Sequence, residues 1–159
     1  MSINTGAGTR FSVGPRLTDD LPKDDAAALT LLSGLTYVEV GEVESVGDYG
    51  DEDADVSFTA LSDSRVRHLK GASDAGTTSI VVGLDSGDAG QIAMAVAKKD
   101  RSRYDYAFKV EYVDGGIDYF AGKVMSDRKT NIGNGDVLRR NYGVGINSAI
   151  YETEADTTP

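Results

Sequence analysis

Several residue types are missing or scarce, and each absence removes a class of chemistry. There is no cysteine, so the chain holds no disulfide, no thiolate metal centre and no cysteine nucleophile; this is neutral about compartment. Tryptophan is absent too, and histidine occurs once, at His68. A single imidazole cannot build a multi-histidine zinc site, and His68, in Arg65-Val66-Arg67-His68-Leu69-Lys70, reads as structural or exposed rather than as the base of a triad. No run of about 18 apolar residues exists, so no membrane-spanning helix is expected. The opening Met1-Ser2-Ile3-Asn4-Thr5-Gly6 lacks a basic segment followed by an apolar one, so no Sec signal is expected and the protein should remain in the cytoplasm where it is made. Only three prolines punctuate the 159 residues, a length that suits one domain.

What is present favours β structure: nineteen glycines with many Val, Ile, Tyr and Thr. Residues 1–9 read as a flexible arm. Arg10–Val13 is a short strand ended by Pro15, and Asp24–Leu32 a helical turn capped by Asp24 or Asp25. Thr36–Val46 reads as one strand with a bulge at Gly41-Glu42, which would place Val38, Val40 and Val43 on an apolar face and Glu39, Glu42 and Glu44 on an acidic one. Residues 47–55 follow with Asp48, Asp51, Glu52, Asp53 and Asp55 and no base, so self-repulsion should leave an extended, mobile loop. Strands are then expected at Val56–Leu61 and Arg65–Leu69, with a turn at Gly71–Gly76.

Thr77–Leu84 alternates cleanly. Asp85 or Ser86 caps a helix over Asp88–Lys99 with Ala89, Ile92, Ala93 and Val96 as its apolar stripe, and Lys98 and Lys99 suit the dipole at its C-terminus. Tyr106, Phe108, Val110 and Tyr112 mark the clearest half-buried strand, turned at Asp114-Gly115-Gly116 into a return strand over Ile117–Ser126. A Gly/Asn turn at Asn131–Asp136 leads to a last strand, Val137–Ile150, with Leu138, Tyr142, Val144 and Ile146 on one face. Residues 151–159 read as a disordered tail. The expected domain, 10–150, is mainly β: an antiparallel β-sandwich or barrel of two packed sheets with one α-helix.

Motifs for chemistry are few. Asp51-x-Asp53-x-Asp55 begins like a calcium loop, but the required glycine and final glutamate are replaced by Val56 and Ser62. Gly133-Asn134-Gly135 and Gly143-Val144-Gly145 match no phosphate-binding loop. Carboxylates are numerous enough for an acid pair, but no tryptophan and no apolar pocket accompany them. No catalytic residue, metal site or cofactor is expected, and the chain does not read as an enzyme.

Charge is the informative quantity. The net charge is −10; residues 1–56 carry twelve acids against Arg10, Arg16 and Lys23, and the rest is nearly balanced. An acidic protein is a poor nucleic-acid binder, since binding draws on Lys and Arg against phosphates. Its bases cluster at Arg65, Arg67 and Lys70 and at Lys98, Lys99, Arg101 and Arg103. An acidic loop and separate basic patches on one small domain suit head-to-tail assembly, the bases of one copy meeting the loop of the next; solvated faces are the alternative.

The order of features resembles the tail tube (major tail) proteins of siphophages. The strand Thr36-Tyr-Val-Glu-Val-Gly-Glu-Val-Glu44 and the acidic loop carry this likeness, as do Arg67-His-Leu-Lys-Gly71 through Gly76-Thr77 and Ile80-Val-Val-Gly-Leu-Asp85-Ser-Gly-Asp88-Ala-Gly90-Gln91. Tyr106-Ala-Phe-Lys-Val-Glu-Tyr-Val-Asp114-Gly115, Asp118-Tyr-Phe-Ala-Gly122-Lys-Val-Met-Ser126 and the Gly133–Asp136 turn continue it, over roughly residues 30–150. The family often carries a further immunoglobulin-like domain, which is not expected within these 159 residues. The resemblance implies hexameric rings, stacked head to tail into a hollow tube that delivers DNA, with sheets of six copies joined around the lumen. Residues 47–55 would bridge rings, and the two termini would settle on neighbours. It implies a tape-measure protein, tail initiator (distal tail) proteins and a terminator as partners, and a place in the virion after assembly in the host cytoplasm. Glu39, Glu42 and Glu44 are the candidate lumen lining, repelling phosphates so that DNA slides past. A head–tail joining protein or a ring of a contractile tube or secretion system is the nearest alternative, and a soluble β module binding carbohydrate or ions a more distant one.

Overall fold

The computed structural model describes residues 3–153. Its described residues form ten strands and two helices: β1 Arg10–Arg16, α1 Asp25–Ser33, β2 Val38–Glu39, β3 Val43–Val46, β4 Glu52–Ala60, β5 Asp63–Asp74, β6 Thr77–Gly83, α2 Ala89–Lys99, β7 Tyr106–Glu111, β8 Ile117–Thr130, β9 Arg139–Ile146 and β10 Tyr151–Thr153. All pairing is antiparallel. The main sheet runs β2-β1-β7-β8-β9-β6-β3, with β10 beside the start of β8, and β4 and β5 form a separate two-stranded sheet. The mainly-β, two-sheet architecture is the expected one. The sheets are unequal, no closed barrel forms, and there are two helices rather than one.

The alternation read from the sequence explains the centre of the main sheet. Phe108 and Val110 of β7 are fully buried on one face with Phe11, Ile80, Val82, Phe120, Tyr142 and Val144, under Met94 and Ala97 of α2. Ala107 points to the opposite face, where Tyr119 and Ala121 pack with Leu32 of α1 and Leu17. Each helix thus covers one face of the same strands. A stacked row of rings, Phe11 on Phe108 and Phe108 on Phe120 at 5.8 and 5.5 Å between centroids, spans β1, β7 and β8.

Several boundaries differ from expectation, each for a physical reason. The strand read over Thr36–Val46 is two short strands on opposite edges of the main sheet: Val38 pairs with Val13 of β1, and Val46 with Ile80 of β6. The chain turns at Gly41 and at Glu42, which adopts left-handed φ 58°. Only Val40, Gly41 and Glu42 separate β2 from β3, a reach of at most about 14 Å from Glu39 to Val43, so the sheet must curl until its two ends approach. Val38 is consequently exposed while Val40 is buried, and the single apolar face expected for Val38, Val40 and Val43 does not exist.

Strand β1 runs through Pro15, with a register shift between Val13 and Arg16 where the missing proline N–H interrupts the ladder. Strand β5 absorbs both the segment expected as Arg65–Leu69 and most of the expected turn. Tyr151–Thr153 is not a disordered tail: it pairs with Ile117–Tyr119 as β10. The rest of that tail, and the first two residues of the arm, lie outside the described residues.

Helix α2 forms where expected, but its N-cap is Asp88, whose carboxylate accepts from the Gln91 amide at 2.9 Å. It also buries the other stripe. Gly90, Gln91, Met94 and Ala97 face the sheet, leaving Ile92 and Val96 exposed. Gly90 decides this. A Cβ there would lie 2.2 Å from the Glu39 carbonyl oxygen and 2.4 Å from the Val40 Cα, so only glycine lets the helix sit on the β2–β3 bend.

Candidate assembly surfaces

The residues singled out for function fall on three surfaces. The first is the β4–β5 ribbon, exposed along nearly its whole length. Glu52, Asp53 and Asp55, expected in a mobile loop, belong to strand β4; only Gly47–Asp51 remains irregular, carrying Asp48 and Asp51. Self-repulsion fails to unravel the segment because the basic strand lies beside it. Asp55 sits opposite Lys70, and Asp53 opposite Ser73. His68 Nδ1 lies 2.9 Å from Asp55, Lys70 Nζ 3.9 Å from Asp53, and Ser73 donates to Asp53. Arg67 pairs with Asp63 at 3.1 Å. The bases expected to meet another copy's acidic loop therefore meet acids of their own hairpin. Among the described residues Arg65 alone of Arg65, Arg67 and Lys70 has no ion pair.

Register divides the ribbon into two faces, since opposed residues project to the same side. Val56 opposes Leu69 and Phe58 opposes Arg67 on one side; Asp55 opposes Lys70, Ser57 opposes His68 and Thr59 opposes Val66 on the other. Arg67 apart, the first side is apolar and uncovered, with Val56, Phe58 and Leu69 at 48%, 55% and 59% exposure, and Leu61 stands fully exposed at the tip. A two-stranded ribbon alone is marginal in water, and an uncovered apolar ladder of this kind is a candidate contact surface. Sequence reading missed Val56, Phe58 and Leu69. Their alternation was visible, but nothing local said that this hairpin would leave the main sheet.

The second surface is the outer side of α2. Ile92 and Val96 lie one turn apart, at 53% and 57% exposure. Beyond them come Lys98 and Lys99 in the last turn and Arg101 and Arg103 after it. None of these four bases has an ion pair among the described residues; Arg103 stacks on Tyr104, its Cζ 5.0 Å from the ring centre. The helix ends at Asp100, which accepts from Ser102 N at 2.8 Å, Tyr106 Oη at 2.8 Å and Arg16 at 3.3 Å. These bonds, led by the Ser102 amide, hold its carboxyl well below the usual range.

The third surface joins the sheet's two ends. Glu39, Glu42 and Glu44 are all exposed, but they do not share one strand face. Glu39 lies 3.9 Å from Arg10 on one edge, and Glu44 pairs with Arg139 at the other. Glu42 is on the bend and has no ion pair among the described residues. Beside them opens a cleft of about 1070 Å³ lined by residues 6–9, 43–51, Val110, Tyr112, Asp118, Ile150 and Glu152. On its wall Tyr49 and Tyr112 donate to Asp118 Oδ2 at 2.5 and 2.8 Å, and their hydroxyls also meet. Burial pushes both phenols up, aided for Tyr49 by the Asp118 carboxylate; Tyr112 reaches about 12. No group of three or more metal-ligating side chains occurs among the described residues, and no helix there is long and apolar enough to cross a membrane.

The fold is that of phage tail tube proteins. The chain is similar to a solved SPP1 tail tube protein, with TM-score 0.61 and 14% identity, covering 96% of this chain and 81% of that one. It is similar to the tail of a GTA particle solved with six-fold helical symmetry, with TM-score 0.65 and 15% identity over 96% and 100%. It is also similar to the PVC sheath/tube terminator of an extracellular contractile injection system, with TM-score 0.69 and 7% identity over 97% and 99%. No protein-family model matches the chain, and no curated protein matches it in sequence.

Proposed function

We propose that this chain is a structural tail tube subunit: it forms hexameric rings that stack head to tail into a hollow tube through which phage DNA passes, and it performs no catalysis. The observation that carries the reading is the β4–β5 ribbon, whose apolar side has no cover among the described residues. The fold adds support, since the similar chains come from a tail tube and a six-fold tail. So do the free edges at β2 and β3, which in a monomer are sites for strand addition. On this reading Asp48, Asp51, Glu52, Asp53 and Asp55 lie at the junction between rings. A tape-measure protein, a tail initiator and a terminator are the partners, and the virion tail is the location. The net charge of −10 keeps DNA from adhering in transit, with Glu39, Glu42 and Glu44 as candidate lining.

Electron microscopy of the purified, concentrated protein tests this. Long hollow tubes or six-fold rings are expected. A monomer that persists even with an initiator complex and tape-measure protein refutes the reading, and a tube whose three glutamates point outward refutes the lining. A second reading, tube terminator, is favoured by the similarity to the PVC terminator; it gives discrete rings that never lengthen.

A further inference from the structure

The ribbon and the helix leave complementary surfaces unpartnered. On the apolar side of the ribbon, Phe58 and Val56 succeed each other about 7 Å apart, and the strand continues toward Glu52 and the loop acids Asp51 and Asp48. None of these three acids has an ion pair among the described residues. On α2, Ile92 and Val96 succeed each other about 6 Å apart, and the helix continues toward Lys98, Lys99, Arg101 and Arg103, likewise without ion pairs. Each surface is thus a two-step apolar row leading into unpaired charge, of opposite sign, at matching spacing. Within one chain these surfaces belong to separate elements, and among the described residues the ribbon packs chiefly strand on strand while α2 packs on the main sheet.

We propose that the apolar side of the β4–β5 ribbon of one copy docks on the exposed side of α2 of a neighbouring copy. Val56, Phe58 and Leu69 cover Ile92 and Val96, and the acids at the base of the ribbon face the bases at the end of the helix. This rests on the reading of the chain as a self-assembling tube subunit and names the contact that reading requires. The contact is heterologous: each copy gives a ribbon and receives one, so it propagates instead of closing a pair.

A photoreactive benzoylphenylalanine at position 58 keeps the aromatic bulk and tests the contact in a mixture of unlabelled and 15N-labelled chains. Irradiated assemblies should give adducts between differently labelled chains, mapping to Ile92–Val96. Assemblies that form normally but crosslink only within one copy, or to another segment, overturn the docking while leaving the tube reading intact. A chain that stays monomeric with initiator present overturns both. The charge element has its own test: Glu52→Lys should raise the critical concentration for assembly about fivefold, and adding Lys99→Glu should restore it. Failure of that restoration removes the charged half of the contact.

Discussion

Substituting Gly90 by alanine tests whether the α2–bend junction holds the main sheet in its curled form. The added methyl would lie 2.2 Å from the Glu39 carbonyl oxygen, where ordinary contact begins at 3.4 Å. Both obstructing groups are backbone, in a segment held by the Val40 amide donating to Phe11 at 2.9 Å. Helix and bend must therefore separate by about 1 Å to regain normal contact. That displacement stretches two bonds past useful length: Gly41 N to Asp88 at 3.0 Å, and Gln91 Nε2 to the Gly41 oxygen at 3.2 Å. Each such bond is worth about 1 kcal/mol and overpacking costs about 1–3 kcal/mol, while better helix propensity returns about 1 kcal/mol. The net destabilisation is roughly 2–4 kcal/mol, or a Tm lower by about 5–15 °C for a domain of this size. Thermal unfolding by circular dichroism at dilute concentration reads it directly. Gly87→Ala is the control, because its nearest neighbour would be 3.6 Å away and its effect should stay within about 0.5 kcal/mol. A G90A protein as stable as wild type would refute the account of why α2 sits where it does.

Phe58→Asp should leave the monomer's Tm nearly unchanged, since the ring is half exposed and outside both cores, yet abolish polymers in negative-stain images; a large loss of monomer stability would contradict the ribbon's independence. Arg140 binds Asp127 through Nε and a terminal nitrogen, both at 2.6 Å and largely shielded from water. Asp127→Asn should cost about 2–4 kcal/mol by urea denaturation, and a cost under 0.5 kcal/mol would reduce the pair to a surface contact. Tyr112 is protonated more tightly folded than unfolded, with its value raised from 10.0 to about 12. Its stabilising contribution is therefore complete below pH 10 and is lost as pH climbs from 10 toward 12. Tyr112→Phe should flatten the fall in stability over that window in denaturation series at stepped pH, and an unchanged slope would argue against the hydroxyl cluster on Asp118.

The sequence was legible where pattern and burial are local. Thr78, Ile80 and Val82, and Phe108 and Val110, alternate in sequence as they do in the core. The helix ending at Lys99 declared its C-terminus through two lysines, while its N-cap fell at Asp88 and not at the expected Asp85 or Ser86. Legibility failed where a distant contact chooses between two locally equal options. Helix α2 carries two stripes, Ile92 with Val96 and Met94 with Ala97; hydropathy favours the first, and the approach of Gly90 to the Glu39–Val40 backbone selects the second. Thr36–Val46 has the composition of one strand, but the Asp88 carboxylate draws the Gly41 amide out of it, and sequence shows no link across 47 positions. The acidic segment looked unstructured for the same reason, because its partner strand supplies the cations. Of the candidate surfaces, the charged residues could be named in advance; the uncovered apolar ladder could not, since exposure belongs to the folded chain.

Three residues, Val40 to Glu42, tie together the outermost strands of a sheet seven strands across. A displacement of β2 is thus passed to β3 through a tether too short to absorb it, with α2 clamped on the same bend. If a neighbouring copy adds a strand at one edge, the geometry of the far edge shifts with it, and the next copy meets an altered docking site. Recruitment along a row would then be cooperative, with the first contact the slowest and each later one finding its seat already set.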